Sequence, residues 1–322
     1  MPIPRALAAA IADELQGLPS QTLKDAAARL SLSYRTQEAV LALGCDADRL
    51  AYCAARMPAT YAAIETALAE VGDAFAAARS LLDVGAGPGT AAWAIADRLP
   101  GLAALTCLEA HAPWAALARR FAARSETSAL RNAVWLTGDA ATAPLPAADL
   151  VSATYLLNEL PEAETGGIVK RLWNAAGLGL LLVEPGSRAG FARIAVARET
   201  LLAQGAAFVA PCTHHSACPM RPGDWCHFSV RLEREAFHRH AKAANLSYED
   251  EKFSYLIAVK VKVPSPEGEA RIIRRPMRAS GRVTLDLCGK SGLARTTIPR
   301  SAGPAYRRAK MAQWGDLWRS RD

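Results

Sequence analysis

Apolar residues recur every three or four positions through the first quarter of the chain, a spacing typical of amphipathic helices. Ser20 and Pro58 stand at the start of two of these segments, where helices commonly begin. We therefore expect residues 1–78 to form a helical domain. The segments are ALAAAIADELQGL, SQTLKDAAARLSLSY and PATYAAIETALAEVGDAF.

From residue 79 the pattern changes to short apolar runs that alternate with helical stretches. The alternation predicts a parallel sheet covered by helices, and thus an α/β, Rossmann-like fold for residues 79–263. KFSYLIAVKVKV, residues 252–263, is expected to be a late strand of that sheet. The earlier runs have the length of buried strands: SLLDVGAG, LTCLEAH, AVWLTGDA, DLVSATYLLNEL and GLLLVEPG.

The remaining residues, 264–322, are predicted to form a small, β-rich, basic C-terminal region. It opens with PSPEGEA, which has the composition of an exposed linker, and it contains the strand GRVTLDLC. Charge is concentrated here: residues 271–322 hold 13 Lys and Arg against three Asp, a net charge of +10, whereas the rest of the chain carries −3. A localised basic surface favours a polyanionic partner, most often nucleic acid, over a merely solvated face.

Two basic groups in this region are the candidate RNA contacts. One group precedes the strand GRVTLDLC, and the other precedes Trp314 and Trp318. These tryptophans can stack on unpaired bases, but core packing is expected for at least one of them. The basic candidates are Arg271, Arg274, Arg275, Arg278, Arg282, Arg307, Arg308 and Lys310.

The composition is that of a soluble globular protein, with 51% apolar and 21% charged residues. The apolar run LGLLLVEP, residues 178–185, is too short to span a bilayer. The first residues lack the basic head and apolar stretch of a signal peptide, so a reducing, cytoplasmic location is expected. There the seven cysteines are not expected to form disulfides, and clustered ones indicate metal binding or catalysis.

The stretch LLDVGAGPGT, residues 81–90, ends a predicted strand and leads into a helix. Gly85, Gly87 and Gly89 allow a tight turn and let a ligand approach bare backbone at a helix N-terminus. A dinucleotide-binding loop would need glycine at the sixth place of its motif, where this chain has threonine. With Asp83 before it, the loop resembles instead the G-x-G-x-G loop of S-adenosylmethionine-dependent methyltransferases.

Two acidic residues follow the next two predicted strands. Glu109, which closes the second strand, is placed to accept hydrogen bonds from both ribose hydroxyls of such a cofactor. Asp139, after the third strand, resembles the adenine contact of these enzymes. A purely structural strand–helix turn is the alternative, but the glycine loop and both acids occur in the expected order, which favours S-adenosylmethionine binding.

The fourth predicted strand should lead to the methyl acceptor, and it ends in YLLNEL, residues 155–160. Asn158 and Glu159 are the candidate catalytic residues that would orient an acceptor; an Asn that caps the next helix is the competing interpretation. The sequence here does not match the Asn/Asp-Pro-Pro-aromatic element of amino-methylating enzymes. Cys212 follows the fifth strand rather than the fourth, so it is misplaced as the nucleophile of a cytosine-5 methyltransferase.

A loop at residues 210–228 holds three cysteines, separated by five and seven residues, and a fourth follows 61 residues later. Four thiolates can close a tetrahedral zinc site or hold an iron–sulfur cluster. Structural zinc sites favour shorter spacings, although His214, His215 and His227 keep zinc possible, and buried free thiols are the third alternative. The candidate ligands are Cys212, Cys218, Cys226 and Cys288, while the scattered Cys45, Cys53 and Cys107 are expected to be buried free thiols.

The cysteine loop and several other stretches together resemble one family. They are similar to the methyltransferase-like proteins of mitochondrial small-ribosomal-subunit assembly and their bacterial relatives. The resemblance covers nearly the whole chain, with Thr213 in place of a usual proline. Besides the glycine loop, the matching stretches are RMPATYAAI, PCTHHSACPMRPGDWCHF, DEKFSYL, GRVTLDLC and QWGDLW.

This resemblance implies a class I methyltransferase fold, a [4Fe-4S] cluster held by the four candidate cysteines, and binding to small-subunit ribosomal RNA during assembly. The cluster would fasten the basic C-terminal region to the main domain and so contribute to folding. Whether the chain methylates ribosomal RNA stays open, since the alternative is a catalytically inactive RNA-binding chaperone with a four-cysteine zinc site. The expected form is a cytoplasmic, bacterial monomer.

Overall fold

The N-terminal helices meet the central sheet mainly through the fourth of them, α4. The computed structural model describes residues 2–36, 45–242, 245–264 and 268–319. Almost every residue of the alanine-rich helix α4 is buried, because it lies between α3 and the sheet. The four helices are α1 (Arg5–Leu15), α2 (Ser20–Thr36), α3 (Asp46–Ala55) and α4 (Met57–Leu68). Helices α1, α3 and α4 share one hydrophobic core with the sheet, whereas α2 packs on α3 in a separate cluster.

Eight strands form the central sheet, in the order β3-β2-β1-β4-β5-β8-β6, and β7 pairs with part of β8. Strands β1 to β5 run parallel. All five apolar runs predicted as early strands are present, which confirms the α/β, Rossmann-like fold. The strands are β1 (Ser80–Val84), β2 (Ala104–Glu109), β3 (Val134–Thr137), β4 (Ala148–Thr154), β5 (Ala176–Pro185), β6 (Ala207–Ala210), β7 (Phe228–Glu233) and β8 (Tyr248–Val259).

Helices cover both faces of this sheet, which is why its central strands β1, β4 and β5 are largely apolar. In β5, Leu181 and Val183 face the core shared with α4, α5 and α6, whereas Leu180 and Leu182 face α8 and α9. Among the helices of the described ranges, none has the length and apolar character needed to cross a membrane. The covering helices are α5 (Thr90–Arg98), α6 (Ala112–Ala122), α7 (Ser128–Arg131), α8 (Thr165–Ala175) and α9 (Arg188–Ala203), whereas α10 (Ala236–Ala241) packs on α2 and α3.

The sheet is mixed, whereas the strand–helix alternation predicted a parallel one. β8 runs antiparallel to β5, β6 and β7. With 12 residues, β8 is long enough to pair with β7 through its first half and with β5 through its second. β7 and β8 follow one another through a connection that carries only the short helix α10, and antiparallel neighbours need no crossover helix.

The C-terminal region forms a second, five-stranded sheet with one helix on it. The strand order is β10-β11-β9-β13, and β12 pairs with β11. Trp318 is buried with Ile272, Leu285 and Ile298 in a small core of its own, so the expected core packing of one tryptophan is found. Part of the predicted linker, residues 265–267, lies outside the described residues. The elements are β9 (Glu269–Ile272), β10 (Met277–Ala279), β11 (Arg282–Gly289), β12 (Gly292–Pro299), α11 (Pro304–Met311) and β13 (Leu317–Arg319).

Arg271 anchors this second sheet to the main domain, contrary to its predicted role as an RNA contact. Its side chain is 4% exposed. Nε donates to the carbonyl of Pro211 at 2.9 Å, and one terminal nitrogen donates to the carbonyl of Gly315 at 2.7 Å and to the carboxylate of Glu70 at 2.8 Å. The guanidinium thus ties the cysteine loop, the end of the chain and the segment after α4 together.

Several other basic candidates are also engaged within the protein. Arg274 pairs with Asp224, Arg278 donates to two carbonyls at the end of α11, and Arg308 lies over the ring of Trp318. The sequence could not reveal these partners, because each is distant along the chain or depends on the course of α11. The exposed arginines that remain from the prediction are Arg275, Arg282 and Arg307.

Replacing Arg271 by alanine is expected to lower the free energy of unfolding by about 3 kcal/mol. The reason is that the substitution leaves buried carbonyl groups without their donor and breaks a pair with Glu70. Urea unfolding measures the loss. Arg275→Ala, at an exposed position nearby, is the control and should change stability by no more than about 0.5 kcal/mol. Equal unfolding midpoints for Arg271→Ala and the wild type would contradict the anchoring role.

Candidate cofactor site and four-cysteine cavity

The predicted glycine loop lies between the end of β1 and the start of α5. Gly85, Gly87 and Gly89 have φ angles of 70°, 53° and 83°, in the left-handed region that favours glycine. A Cβ on Gly85 would stand 2.7 Å from the Leu156 side chain. The amide groups of Gly85 and Ala86 donate to the carbonyl of Leu108 in β2. The loop is therefore a tight turn that only glycines can form, held against the neighbouring strand.

Asp83 lies beneath this loop, buried within β1. Its carboxylate accepts a hydrogen bond from the Ser152 hydroxyl of β4 at 2.7 Å. Burial raises the pKa of Asp83 to about 7, although the Ser152 hydrogen bond opposes the shift. The carboxyl thus links β1 and β4 under the loop.

Glu109, the predicted ribose contact at the end of β2, lies against the glycine loop. Its side chain is 8% exposed. Its carboxylate accepts from the Gly87 amide at 2.8 Å and from the His111 amide at 2.9 Å, and the His111 ring lies 3.2 Å away. The backbone amides fix the carboxylate at the edge where β1 and β2 end.

Asp139 lies next to Glu109 but is exposed. Its carboxylate accepts from the Ala141 amide at 2.6 Å, which closes the turn after β3, and the amide of Gly138 donates to the Glu109 carbonyl at 3.1 Å. The three predicted cofactor elements therefore meet at one edge of the sheet.

Asn158 and Glu159 lie in a single 3₁₀ turn, Leu157–Glu159, after β4. The competing interpretation of Asn158 as a helix cap is wrong, because α8 begins only at Thr165. Taken as a whole residue, Glu159 is exposed. Its carboxyl is nevertheless enclosed enough that desolvation, followed by the charge of Glu109, raises its pKa to about 7. A carboxyl of this kind can take up or release a proton near neutral pH.

Two residues at this edge were not predicted from the sequence. Glu184, at the end of β5, is fully buried and accepts from the amides of Leu157 and Asn158 at 2.8 and 3.1 Å. Burial raises its pKa to about 8. It therefore supports the turn that carries the acceptor-side candidates. The sequence does contain a signal for Glu184, because this acidic residue interrupts the otherwise apolar run GLLLVEPG.

Tyr155 is the second unpredicted residue, and its backbone is strained. Its φ of 58° is positive, which costs a non-glycine residue roughly 1–3 kcal/mol. The hydroxyl donates to the carboxylate of Glu251 at 3.4 Å, and Glu251 forms a salt bridge with Arg56 at 2.9 Å. Backbone strain that buried polar contacts maintain is typical of functional sites. No local sequence pattern predicts the positive φ of Tyr155.

The four candidate cysteine ligands line one cavity of about 40 Å³. Strand β11 brings Cys288 to the loop that holds the other three, and Ser254 of β8 donates to the carbonyl of Cys226 at 2.8 Å. The structure thus places together thiols that are widely separated in sequence. That they bind a metal remains a prediction. The lining cysteines are Cys212, Cys218, Cys226 and Cys288.

The thiols of this cavity lie close enough to affect one another. Burial raises the pKa of Cys226, and the nearness of Cys212, Cys288 and Cys218 raises it further. Burial and the neighbouring thiols likewise raise the pKa of Cys288 to about 12. Within the described residues, no three Cys, His, Asp or Glu side chains are arranged to hold a single metal ion.

Arg198 of α9 also lines the cavity and is 2% exposed. Its Nε donates to Cys212 Sγ at 3.3 Å. The cavity therefore has a buried cation beside one of its four thiols.

Of the three histidines that kept zinc possible, only His214 lies at the cavity, with Nε2 3.8 Å from Cys288 Sγ. His215 is engaged by the Phe208 amide and the Val263 carbonyl, and His227 packs between two tryptophan rings. The other cysteines lie apart from the cavity: Cys53 and Cys107 are buried as expected, whereas Cys45 is exposed.

Comparison with known proteins identifies the family. A family model described as mitochondrial small ribosomal subunit Rsm22 matches residues 46–319. The chain belongs to the Rsm22 family. The resemblance inferred from the sequence motifs is thereby confirmed.

Relatives of the Rsm22 family that are similar to this chain include two mitochondrial proteins. The human "Ribosome assembly protein METTL17, mitochondrial" is 29% identical over 289 residues, which is 83% of this chain and 62% of that protein. "Rsm22-cox11 tandem protein 2, mitochondrial" of Schizosaccharomyces pombe is 25% identical, over 85% of this chain and 43% of that protein. The chain therefore spans less than two thirds of the length of either relative.

Among solved structures, magnesium protoporphyrin IX methyltransferase from Synechocystis PCC 6803 with bound S-adenosylmethionine is similar in fold. The TM-score is 0.41 and the identity 15%, over 63% of this chain and 80% of that one. The likeness concerns the fold alone.

Proposed function

We propose that this member of the Rsm22 family is a methyltransferase-like assembly factor of the small ribosomal subunit. It binds S-adenosylmethionine, holds a structural [4Fe-4S] cluster and contacts ribosomal RNA through its C-terminal region. The observation that carries the proposal is the meeting of the glycine loop with the buried carboxylate of Glu109, 2.8 Å from the Gly87 amide. Family membership supports the ribosomal partner, since the human relative is named a ribosome assembly protein.

The cofactor pocket follows from the edge formed by β1, β2 and β3. The glycine loop opens α5 and presents backbone amides without side chains in the way, where a carboxylate or sugar can approach. Glu109 keeps lone pairs for ribose hydroxyls beyond the two backbone amides it accepts. Asp139 stands beside it on the exposed side and is the proposed adenine-side contact.

Replacing Glu109 by alanine is expected to weaken S-adenosylmethionine binding by roughly 1.5–3 kcal/mol, since hydrogen bonds to a charged acceptor are lost. Isothermal calorimetry under anaerobic conditions measures the affinity. Glu126→Ala, at an exposed position, is the matched control and should bind as the wild type does. Absence of binding heat for the wild type would contradict a working cofactor pocket.

The residues that would orient the methyl acceptor distinguish an active methyltransferase from a protein that has the fold but no activity. Asn158 and Glu159 lie on a turn supported by the buried Glu184, and Tyr155 is held in a strained conformation beside it. This preorganised edge favours a ribosomal RNA methyltransferase over a vestigial pocket. Transfer of a labelled methyl group to immature small subunits, compared with mature subunits, tests this choice.

The proposed cluster ligands are Cys212, Cys218, Cys226 and Cys288. A single zinc ion needs four sulfurs about 2.3 Å from one point, whereas a [4Fe-4S] cluster binds each cysteine at a different iron. The cysteines are separated by five, seven and 61 residues, wider than the short knuckles of structural zinc sites, and this spacing favours the cluster over zinc. A bound cluster would supply covalent links between the loop and β11.

Replacing Cys288 by serine is expected to abolish cluster binding and to loosen the C-terminal sheet, because one of the four links is lost. Iron, sulfide and zinc analysis of anaerobically purified protein, together with limited proteolysis, checks both effects. Cys45→Ser is the control, since Cys45 is exposed and lies outside the cavity. Full iron content and an unchanged cleavage pattern in Cys288→Ser would exclude this residue as a ligand.

The RNA surface is proposed for the exposed cations of the C-terminal region. Arg271 and Arg274 are engaged internally, so the contacts are assigned to the exposed candidates Arg275, Arg282, Arg307 and Lys310. The region is held in place by the main domain, and a fixed cationic surface suits a folded RNA backbone.

The double variant Arg275→Ala with Arg282→Ala is expected to reduce ribosomal RNA affinity. Each lost phosphate contact should lower the slope of log affinity against log salt by roughly 0.7–0.9. Salt titrations of RNA binding measure the slope, and Lys170→Ala with Arg239→Ala removes two exposed charges elsewhere as a control. Equal slopes in the two double variants would place the RNA surface outside this segment.

A further inference from the structure

Arg198 interrupts the buried face of α9. The face consists otherwise of small and apolar residues, among them Ile194, Ala197 and Leu201. An arginine at such a position is rarely fully buried unless its charge is paired. The helix therefore carries a cation into the interior at the level of the cysteine cavity.

The guanidinium of Arg198 is held in a fixed orientation. It stacks over the Phe208 ring at 4.8 Å. Nε donates to Cys212 Sγ at 3.3 Å, and one terminal nitrogen donates to the carbonyls of His214 and Ser216 at 3.2 and 2.5 Å. The other terminal nitrogen, Nη1, has no hydrogen-bond partner in the described part of the chain.

The charge of Arg198 has no carboxylate beside it among the described residues; its partners are one thiol and two backbone carbonyls. Burying a cation in this way costs several kcal/mol unless an anion compensates it. The polar groups around the cavity include the four thiols and His214. The compensating anion is thus most simply the set of thiolates around a bound metal centre, whose net charge is negative.

We infer that Arg198 is a positioning residue for the proposed cluster: it holds the Cys212 sulfur as a ligand and stabilises the cluster's reduced state. The inference rests on the proposed function. A positive charge and an N–H···S hydrogen bond both favour the more negative oxidation state of a cluster, so they raise its reduction potential.

The test compares Arg198→Lys and Arg198→Gln with the wild type after anaerobic loading with iron and sulfide. Arg198→Gln is expected to make cluster reduction about tenfold less favourable, a fall of about 59 mV for a one-electron couple. Arg198→Lys keeps the charge but loses the fork of donors, so its potential should fall less. Removal of iron by a chelator should be roughly tenfold faster in Arg198→Gln.

Arg193→Gln is the matched control, because Arg193 lies on the same helix and donates to the Leu160 carbonyl, away from the cavity. Its potential and its iron loss should equal those of the wild type. Unchanged potentials in both Arg198 variants, with a loaded wild type, would overturn the inference and leave the cluster proposal intact. A wild type that takes up no iron and sulfide, or only zinc, would overturn both. If Arg198→Gln does not fold, the reduction potential of the cluster in Arg198→Lys tests the inference on its own.

Discussion

A buried guanidinium joins the second sheet to the main domain at three places. Arg271 donates to Pro211 in the cysteine loop, to Gly315 near the end of the chain and to Glu70. In the β9–β11 ladder Arg271 stands opposite Cys288. The contact that attaches the second sheet therefore also sets the position of the fourth cysteine, so anchoring and ligand placement cannot be separated.

The sequence predicted the elements whose physical cause is local. Runs such as GLLLV, residues 179–183, are apolar because both faces of the sheet are covered, and the left-handed backbone of the turn after β1 favours glycine at three alternate positions. The direction of β8, the burial of Arg271 and the strain at Tyr155 were not predictable in this way. Each depends on partners far along the chain, such as Glu70 for Arg271 and Glu251 for Tyr155. The cysteines were the exception, because residue type and family resemblance together indicated that they should meet.

One strand serves both sites. In β8, Glu251 accepts from Tyr155 at the acceptor edge, and three residues later Ser254 donates to the carbonyl of Cys226. Ser254 also stands opposite Glu184 in the β5–β8 ladder. The stretch DEKFSYL thus contacts both the candidate acceptor site and the cysteine loop, through residues that are three positions apart.

The sequence separation of Cys288 from the other cysteines also affects when the cavity can form during synthesis. During synthesis the first three thiols leave the ribosome well before the fourth, because 61 residues separate Cys226 from Cys288, and chains are made at about 5–20 residues per second. The α/β domain has all of its strands before β11 exists. The cavity is therefore completed only after most of the chain has been translated, so a truncated product would present an open set of three thiols instead of a closed site.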